Sequence, residues 1–357
     1  MTVEVAWFGA LCDDDAEQLG VADPALRSSW EHCRDITVAA EAAGFDNILL
    51  PSGYELGIDA VAFAAGIAPH LQRMRLLLAV RAGELWPPQL ARQLATIDQM
   101  LAGRLTVNII SSDLPGAPLA SGPRYRRTVE VMRIVRSLLD GQPAECDGEF
   151  YRLSVPPPRV RTVAGRCPPF YFGGLSDDAR EAAAAAADVY LMWPDVEPAV
   201  AELIADLRRR AEAHGRHLRF GYRVHVVVRD TEAEARAAAA HLVGALDPAV
   251  GEAIRRRSLD HASVGVRRQA ELRAVAGDDG FVEDHLWTGI GAARSGCGAA
   301  LVGDPDQVAA KLARYVALGI DTFILSGYPH RREAERVGRE VLPRLRSLVA
   351  GAGGDGR

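Results

Sequence analysis

The chain has 357 residues, of which 48% are hydrophobic and 25% are charged, and its formal net charge is −6. Its arginines are spread over many segments instead of forming one basic block, which argues against a nucleic-acid-binding face. No apolar run reaches the ~20 residues of a membrane span, and the first residues, MTVEVAWFGALCDDD, lack the basic start of a signal peptide. We therefore expect a globular cytoplasmic protein without a nucleic-acid or membrane partner.

The cysteines are scattered along the chain without any CxxC spacing, at Cys12, Cys33, Cys146, Cys167 and Cys297. An odd number of unpaired cysteines is typical of reduced thiols in a cytosolic protein. The sequence therefore predicts neither a zinc site nor any other metal site.

Short apolar segments recur along the chain and are rich in β-branched or aromatic residues. They are residues 3–11, 47–50, 74–80, 104–110, 169–174, 189–193, 220–228 and 322–327. Most of them are apolar on both faces, which is typical of strands buried in a parallel sheet. The sequence therefore predicts eight parallel strands.

Longer segments between these strands place apolar residues at i, i+3, i+4 and i+7, which predicts amphipathic helices. They are residues 29–43, 89–101, 125–139, 177–187, 197–213 and 331–349. Eight strands alternating with helices favour an α/β fold of the (β/α)₈ TIM barrel type. An open doubly wound sheet is the alternative, because sequence does not show whether the sheet closes. We expect one barrel domain over residues 1–350 and a disordered tail over 351–357.

Two segments interrupt the alternation. Residues 141–168 are rich in Pro and Gly without helical periodicity, which predicts a surface insertion with a short hairpin. Residues 246–304, between predicted strands seven and eight, are too long for a simple loop and end in a glycine-rich run. Long loops of this kind are usually lids or disordered segments, so we expect helical pieces followed by a long mobile loop.

Predicted strand seven carries two polar residues, Arg223 and His225, whose spacing places them on the same face. Barrel enzymes place catalysis at the C-terminal ends of their strands, so an inward Arg beside an inward His favours an anion site. The alternative is an arginine paired with a barrel carboxylate beside a buried core histidine.

Predicted strand eight is followed by Tyr328 and His330 on either side of Pro329, which fixes a turn directly after the strand. This is a suitable position for a general acid or base, although His330 could equally be a solvent-exposed residue at a helix start. Arg294 is the only charged residue of the run GIGAARSGCGAALVG. It suits a lid that closes on an anion, and the alternative is a solubilising residue on a mobile loop.

The segment PFYFGGLSDD ends a strand at Gly173 and Gly174 and begins a helix near Ser176. Backbone N–H groups at such a helix start can hold a phosphate, and the alternative is an ordinary N-cap formed by Ser176. The chain has no Walker motif, and no GxGxxG run follows a strand.

Four longer stretches carry a family resemblance: RQLATIDQMLAGRLTVNII, RFGYRVHVVVRDTEAEA, LWTGIGAARSGCGAALVGDP and LGIDTFILSGYPH. With them the chain resembles the bacterial-luciferase-like flavin-dependent monooxygenases, most closely the two-component FMNH₂-dependent alkanesulfonate monooxygenases. The resemblance implies that a separate NAD(P)H-dependent FMN reductase supplies FMNH₂, that O₂ is the co-substrate, and that a sulfonate is cleaved to sulfite and an aldehyde. It also implies a homodimer or homotetramer.

The same resemblance implies roles for particular residues. Arg223 and Arg294 would hold the sulfonate, with Arg294 arriving on the lid and Trp193 forming a wall beside it. The residues at the reaction centre would be His225, Tyr328 and His330. Those around the flavin would be Asn108 at its ring and Tyr125, Gly174 and Ser176 near its phosphate.

Three departures from the family fall on the substrate-side loops. LLPSGYELGID lacks the family's cysteine, GALCDDDAEQLG lacks its histidines, and Ser111, Ser112 and Asp113 replace its Thr-Gly-Gly. Carboxylates of Asp13–Asp15 and of the Ser111–Asp113 loop could accept hydrogen bonds from substrate hydroxyl or ammonium groups, so we expect a polar sulfonate. The alternatives are solvated surface aspartates, a luciferase-like monooxygenase acting on a non-sulfonate, a deazaflavin (F420)-dependent oxidoreductase, and a non-catalytic flavin-binding barrel.

Overall fold

The computed structural model describes residues 3–256, 263–294 and 296–352. The strands of this part of the chain are β1 (Glu4–Phe8), β2 (Asn47–Leu50), β3 (Arg75–Arg81), β4 (Leu105–Ile110), β5 (Ala144–Asp147), β6 (Arg152–Val155), β7 (Phe170–Gly173), β8 (Val189–Met192), β9 (Arg219–Val228), β10 (Phe281–Glu283), β11 (Leu286–Trp287), β12 (Ala300–Gly303) and β13 (Thr322–Ser326).

Its helices are α1 (Trp30–Ala42), α2 (Ala60–Ile67), α3 (Pro87–Met100), α4 (Ser121–Leu139), α5 (Asp177–Ala186), α6 (Glu197–Ala213), α7 (Glu232–Val243), α8 (Pro248–Arg256), α9 (Val264–Val275), α10 (Pro305–Leu318), α11 (His330–Glu340) and α12 (Leu342–Ala352). Within the described ranges, no helix combines the length and the apolar character of a membrane span.

Eight parallel strands close into a barrel in the order β1-β2-β3-β4-β7-β8-β9-β13, with β13 returning to β1. Closure depends on β9, whose first half pairs with β8 on one side and with β13 on the other. All eight are the strands that the sequence predicted. The (β/α)₈ barrel is therefore confirmed, and the open sheet is wrong.

The two faces of the barrel strands are buried in different places, which explains their continuously apolar sequences. Val5 and Trp7 of β1 belong to the core that includes helix residues, whereas Ala6 and Phe8 belong to a cluster formed only by strand residues. Ile324 of β13 also belongs to that inner cluster. Alternate side chains therefore fill the barrel interior and the layer beneath the helices.

The predicted insertion contains the expected hairpin, because β5 and β6 pair in antiparallel fashion. The carboxylate of Glu130 in α4 holds this hairpin. It accepts hydrogen bonds from the backbone N–H groups of Glu149, Phe150 and Tyr151 at 2.9, 3.0 and 3.0 Å. The insertion therefore packs against the outside of the barrel.

The segment between β9 and β13 has more regular structure than the sequence suggested. The expected helical pieces are α8 and α9, but the glycine-rich run also contains a 3₁₀ turn, Gly289–Ala292, and β12. Strand β12 pairs in parallel with the last residues of β9, beyond the barrel, and carries β11 and β10 at its edge. Residues 257–262 and Ser295 lie outside the described residues, and the mobility of this segment stays a prediction.

The C-terminal helical segment is divided into two helices, whereas the sequence predicted one over residues 331–349. Helix α11 ends at Glu340 and α12 begins at Leu342. Pro343 explains the break, because a proline lacks the N–H that would continue the first helix. Residues 351–352 of the predicted tail belong to α12, and residues 353–357 lie outside the described residues.

Candidate active site

A cavity of about 1630 Å³ lies at the C-terminal ends of the barrel strands. Phe8, Arg81, Asn108 and Arg223 line it where β1, β3, β4 and β9 approach their ends. Barrel enzymes carry their active sites at this face. Ligand pockets ordinarily measure about 300–1,000 Å³, so this cavity has room for a flavin nucleotide together with a small substrate.

Arg223 faces the cavity as a buried cation and is 6% exposed. Its Cζ lies 4.4 Å from the centre of the Phe8 ring, and its Nη1 donates to the carbonyl of Val224 at 3.1 Å. Within the described part of the chain no carboxylate lies at ion-pair distance, and burial lowers the pKa of Arg223. A buried guanidinium without a carboxylate favours the anion site over the structural ion pair.

Arg294 reaches the same cavity from the residues after the 3₁₀ turn. Its Nη2 donates to Oδ2 of Asp14 at 3.2 Å, and its Cζ lies 5.9 Å from the Tyr328 ring centre. Although burial opposes the charged form, Tyr328 and Asp14 hold the pKa of Arg294 above its usual value. Arg294 is thus paired at the cavity instead of standing free on the surface.

The three residues expected at the reaction centre are in contact: His225 stacks on Tyr328, and Tyr328 meets His330 edge to face. The ring centres of His225 and Tyr328 lie 5.5 Å apart with nearly parallel planes, and those of Tyr328 and His330 lie 5.2 Å apart at 86°. His225 Nδ1 is 2.6 Å from Ser326 Oγ, and His330 Nδ1 is 2.9 Å from the carbonyl oxygen of Phe8. These contacts fix all three rings.

This group lies behind the cavity wall, because none of its members is among the residues that line the cavity. His330 begins α11, as the alternative interpretation supposed, but it is fully buried, so the solvent-exposed histidine is wrong. The Nε2 atoms of both histidines and the Tyr328 hydroxyl have no hydrogen-bond partner among the described residues. A buried polar atom without a partner is costly, so these three atoms call for a partner from a ligand or a water molecule.

Stability should fall as the pH drops below about 6.5, because burial lowers the pKa of both His225 and His330 from that ordinary value. A histidine with a depressed folded pKa takes up its proton first in the unfolded chain, so acid favours unfolding between the two pKa values. Each histidine should contribute up to about 1.4 kcal/mol per pH unit in that window. Denaturant unfolding of the wild type and His225→Asn at about pH 7.5 and 5 measures this. We expect a smaller loss in the variant, and equal losses would contradict the assignment.

The expected phosphate end of the cavity is built around Gly174, whose φ is +145°. A Cβ at this position would lie 2.7 Å from the Cβ of Ala179 and 3.0 Å from the hydroxyl oxygen of Tyr125, so only glycine leaves the cradle open. Ser176 Oγ accepts a hydrogen bond from the backbone N–H of Ala179 at 3.2 Å. Ser176 is therefore the N-cap of α5 and also lines the cavity.

Two arginines at this end were missed from the sequence, Arg124 and Arg180, and both line the cavity. Each has an acidic partner, Asp113 at 3.3 Å and Asp206 at 2.9 Å, and each has an Nε atom without a partner among the described residues. Their signal in the sequence was weak, because Arg124 is one of five arginines in α4 and Arg180 is the only basic residue of α5. A phosphate fits this cationic, glycine-opened cradle.

Trp193 and Asn108 lie where the sequence placed them. Trp193 follows β8 and lines the cavity, and added Cβ atoms at Gly265 and Gly296 would lie 2.8 Å and 3.4 Å from its ring. Gly265 thus allows α9 to pack close to the indole, and Gly296 places the segment that carries Arg294 beside the same ring. Asn108 pairs in register with Ala79, and both residues line the cavity beside Phe8.

The polar loops at the mouth are mostly engaged within the protein. Ser112 Oγ accepts a hydrogen bond from Arg81, and Asp113 pairs with Arg124. Of these two residues and Ser111, only Ser111 lines the cavity. The Asp113 carboxylate, which we expected to accept hydrogen bonds from the substrate, therefore pairs with Arg124 and does not line the cavity.

The chain matches the family model described as luciferase-like monooxygenase over residues 8–322. It is 62% identical over 349 residues to sulfoquinovose monooxygenase of Novosphingobium aromaticivorans, covering 96% of both chains. It is 52% identical over 347 residues to sulfoquinovose monooxygenase of Agrobacterium fabrum, covering 96% of this chain and 90% of the relative. The fold is similar to EDTA monooxygenase from Chelativorans sp. BNC1, with a TM-score of 0.77 at 18% identity, covering 97% and 94% of the two chains. The chain therefore belongs to the luciferase-like monooxygenase family and is a flavin-dependent monooxygenase.

Proposed function

We propose that this protein cleaves the C–S bond of sulfoquinovose, a hexose whose terminal carbon bears a sulfonate, with FMNH₂ from a separate FMN reductase and O₂. The observation that carries the proposal is that Arg223 is a buried, cavity-facing guanidinium with no carboxylate at ion-pair distance among the described residues. The two curated relatives carry the name sulfoquinovose monooxygenase and match almost the whole chain. A polar sulfonate is also the substrate class that the sequence predicted.

The substrate anion is held by the two arginines. Arg223 and Arg294 can neutralise a sulfonate through charge-assisted hydrogen bonds, which are stronger than those between neutral groups. Trp193 lies beside the segment that carries Arg294 and closes one side of the cavity. The sulfonate end is thereby fixed and the carbon beside sulfur is oriented.

The flavin would be held at the other end of the same cavity. Tyr125, Gly174 and Ser176 would hold its phosphate, and Asn108 would meet its ring. When bound, reduced flavin together with O₂ supplies the oxygen atom and the electrons of the reaction. The balance is sulfonate, FMNH₂ and O₂ giving aldehyde, sulfite, FMN, water and one proton.

The buried group of His225, Tyr328 and His330 would donate and accept protons during the reaction. Burial lowers the pKa of His225 and His330, so both rings are neutral near pH 7, and burial raises the pKa of Tyr328, which keeps its hydroxyl protonated. Neutral rings and a phenol can donate or accept hydrogen bonds at the oxygen atoms of a bound molecule. Exclusion of water by the surrounding protein protects reduced flavin and strengthens these contacts.

Sulfite release tests the proposal. Purified protein, an FMN reductase, NADH, FMN and O₂ are mixed with sulfoquinovose or with hexanesulfonate, and catalase removes the hydrogen peroxide that free reduced flavin generates. We expect sulfite from sulfoquinovose only when every component is present, with kcat/KM about 100-fold or more above that for hexanesulfonate. Absence of sulfite from every sulfonate would refute the proposal.

A further inference from the structure

We infer that Asp14 is a specificity-determining residue that accepts a hydrogen bond from a substrate hydroxyl near the sulfonate. This inference rests on the proposed function, since it concerns the same substrate in the same cavity. The two oxygen atoms of the Asp14 carboxylate have different surroundings. Oδ2 of Asp14 accepts a hydrogen bond from Arg294 at 3.2 Å, whereas Oδ1 is buried and has no partner among the described residues.

Asp14 lines the cavity, and its side chain is only 9% exposed. A buried carboxylate oxygen is costly to leave without a hydrogen bond, so native proteins rarely keep one unless a ligand or water supplies the donor. The described protein supplies no donor to Oδ1 and Asp14 belongs to the cavity lining, so we assign the donor to a molecule bound in the cavity. Oδ1 of Asp14 is therefore a hydrogen-bond acceptor without a donor beside the proposed anion site.

The neighbouring aspartates do not share this property. Asp13 accepts a hydrogen bond from the backbone N–H of Ser28 at 2.8 Å. Asp15 lies 2.9 Å from the His32 ring and accepts from the backbone N–H of His330 at 2.9 Å. The second oxygen of Asp13 lies 3.7 Å from the exposed Arg27, so of the three consecutive aspartates only Asp14 has a buried oxygen without a partner among the described residues.

The net charge of Arg223, Arg294 and Asp14 also matches that of a sulfonate, which carries one negative charge. Among the charged side chains that line the cavity, the set formed by Arg223, Arg294 and Asp14 carries two positive charges and one negative charge, a net charge of +1. Cys12 adds none, because burial and the carboxylate of Asp14 raise the pKa of its thiol to about 12. The set therefore accepts a sulfonate monoanion without a further counterion.

Specificity follows from the chemistry of the free oxygen. A hexose hydroxyl a few bonds from the sulfonate can donate to Asp14 while Arg294 bridges the two anions. An alkyl chain offers no donor, so Oδ1 would stay without a hydrogen bond when such a chain is bound. A site built to hydrogen-bond a hydroxyl rejects analogues that lack one far more strongly than an apolar site rejects an added hydroxyl. Asp14 therefore selects a polyhydroxylated sulfonate over an alkanesulfonate.

The test compares Asp14→Ala with the wild type on sulfoquinovose and on hexanesulfonate, which has the same carbon count without hydroxyls. We expect kcat/KM to fall about 100-fold or more for sulfoquinovose and less than about tenfold for hexanesulfonate. The matched control is Asp278→Ala, the same substitution at an exposed aspartate that is not among the cavity-lining residues. It should leave both values within about threefold, as surface substitutions usually do.

Equal losses on both substrates would mean that Asp14 only positions Arg294, and no loss would mean that it contacts nothing; either result overturns the inference. If Asp14→Ala does not fold, wild-type enzyme with single deoxy analogues of sulfoquinovose decides. At least one analogue should lose about 100-fold in kcat/KM, and uniform activity on all of them overturns the inference. Failure of the proposed function looks different, because the wild type would then release no sulfite at all.

Discussion

We expect Arg223→Ala to lower kcat/KM for sulfite release about 1,000-fold, because it removes one of the two cations that we propose hold the sulfonate. Removing one partner of a buried, hydrogen-bonded charge pair costs about 2–5 kcal/mol. Activity should therefore fall, whereas the stability of the fold should not. No described carboxylate pairs with Arg223, so its removal leaves no buried anion behind and relieves a buried charge. Steady-state kinetics together with thermal unfolding measure both effects, and we expect an unfolding midpoint equal to or above that of the wild type.

Arg136→Ala provides the contrasting control. Arg136 pairs with Asp188 at 2.8 Å, and it is not among the residues that line the cavity. This variant should lose stability while the folded fraction keeps kcat/KM within about threefold, since the substitution lies away from the site. If Arg223→Ala instead unfolds and Arg136→Ala loses activity, Arg223 is a structural residue and the anion site lies elsewhere.

Lys311→Met destabilises the folded protein by about 3–5 kcal/mol, because a buried lysine joins two carboxylates. Lys311 is the only lysine of the chain and is 1% exposed. Its Nζ lies 2.6 Å from an oxygen of Glu197 and 2.6 Å from an oxygen of Glu283. Burial raises the pKa of Glu197, but the hydrogen bond and charge of Lys311 outweigh that effect, so the pKa lies below its ordinary value. Without the ammonium group, the two carboxylates would repel each other.

Urea unfolding measures this loss, and the triple variant Lys311→Met with Glu197→Gln and Glu283→Gln tests its cause. Because the triple variant contains neither the cation nor the anions, it should recover at least half of the lost free energy. The three residues also connect separate parts of the fold. Glu283 belongs to β10, so the triad connects the strands beside β9 to α6 and α10. A single variant as stable as the wild type would show that the triad contributes nothing to folding.

The sequence by itself determined the elements of the barrel and the orientation of its polar residues. All eight barrel strands could be predicted, because burial on both faces leaves a continuously apolar segment whatever the neighbours are. Arg223 and His225 could be assigned to one face because side chains alternate along any strand. The phosphate end was indicated by Gly174 followed by a helix start, since both the open backbone and the free N–H groups are local features.

Only the tertiary structure decided which of these residues meet. Asp14 and Arg294 are separated by 280 residues, and the backbone of His330 meets Asp15 across 315 residues. No pattern within a segment encodes such pairs, because they depend on barrel closure bringing the first and last strands side by side. The same reason explains why β12 was missed: a short glycine-containing segment becomes a strand only because the end of β9 offers it free backbone groups. Local sequence therefore specifies on which face of a strand a side chain lies and where strands and helices end. Closure of the barrel decides which side chains come into contact.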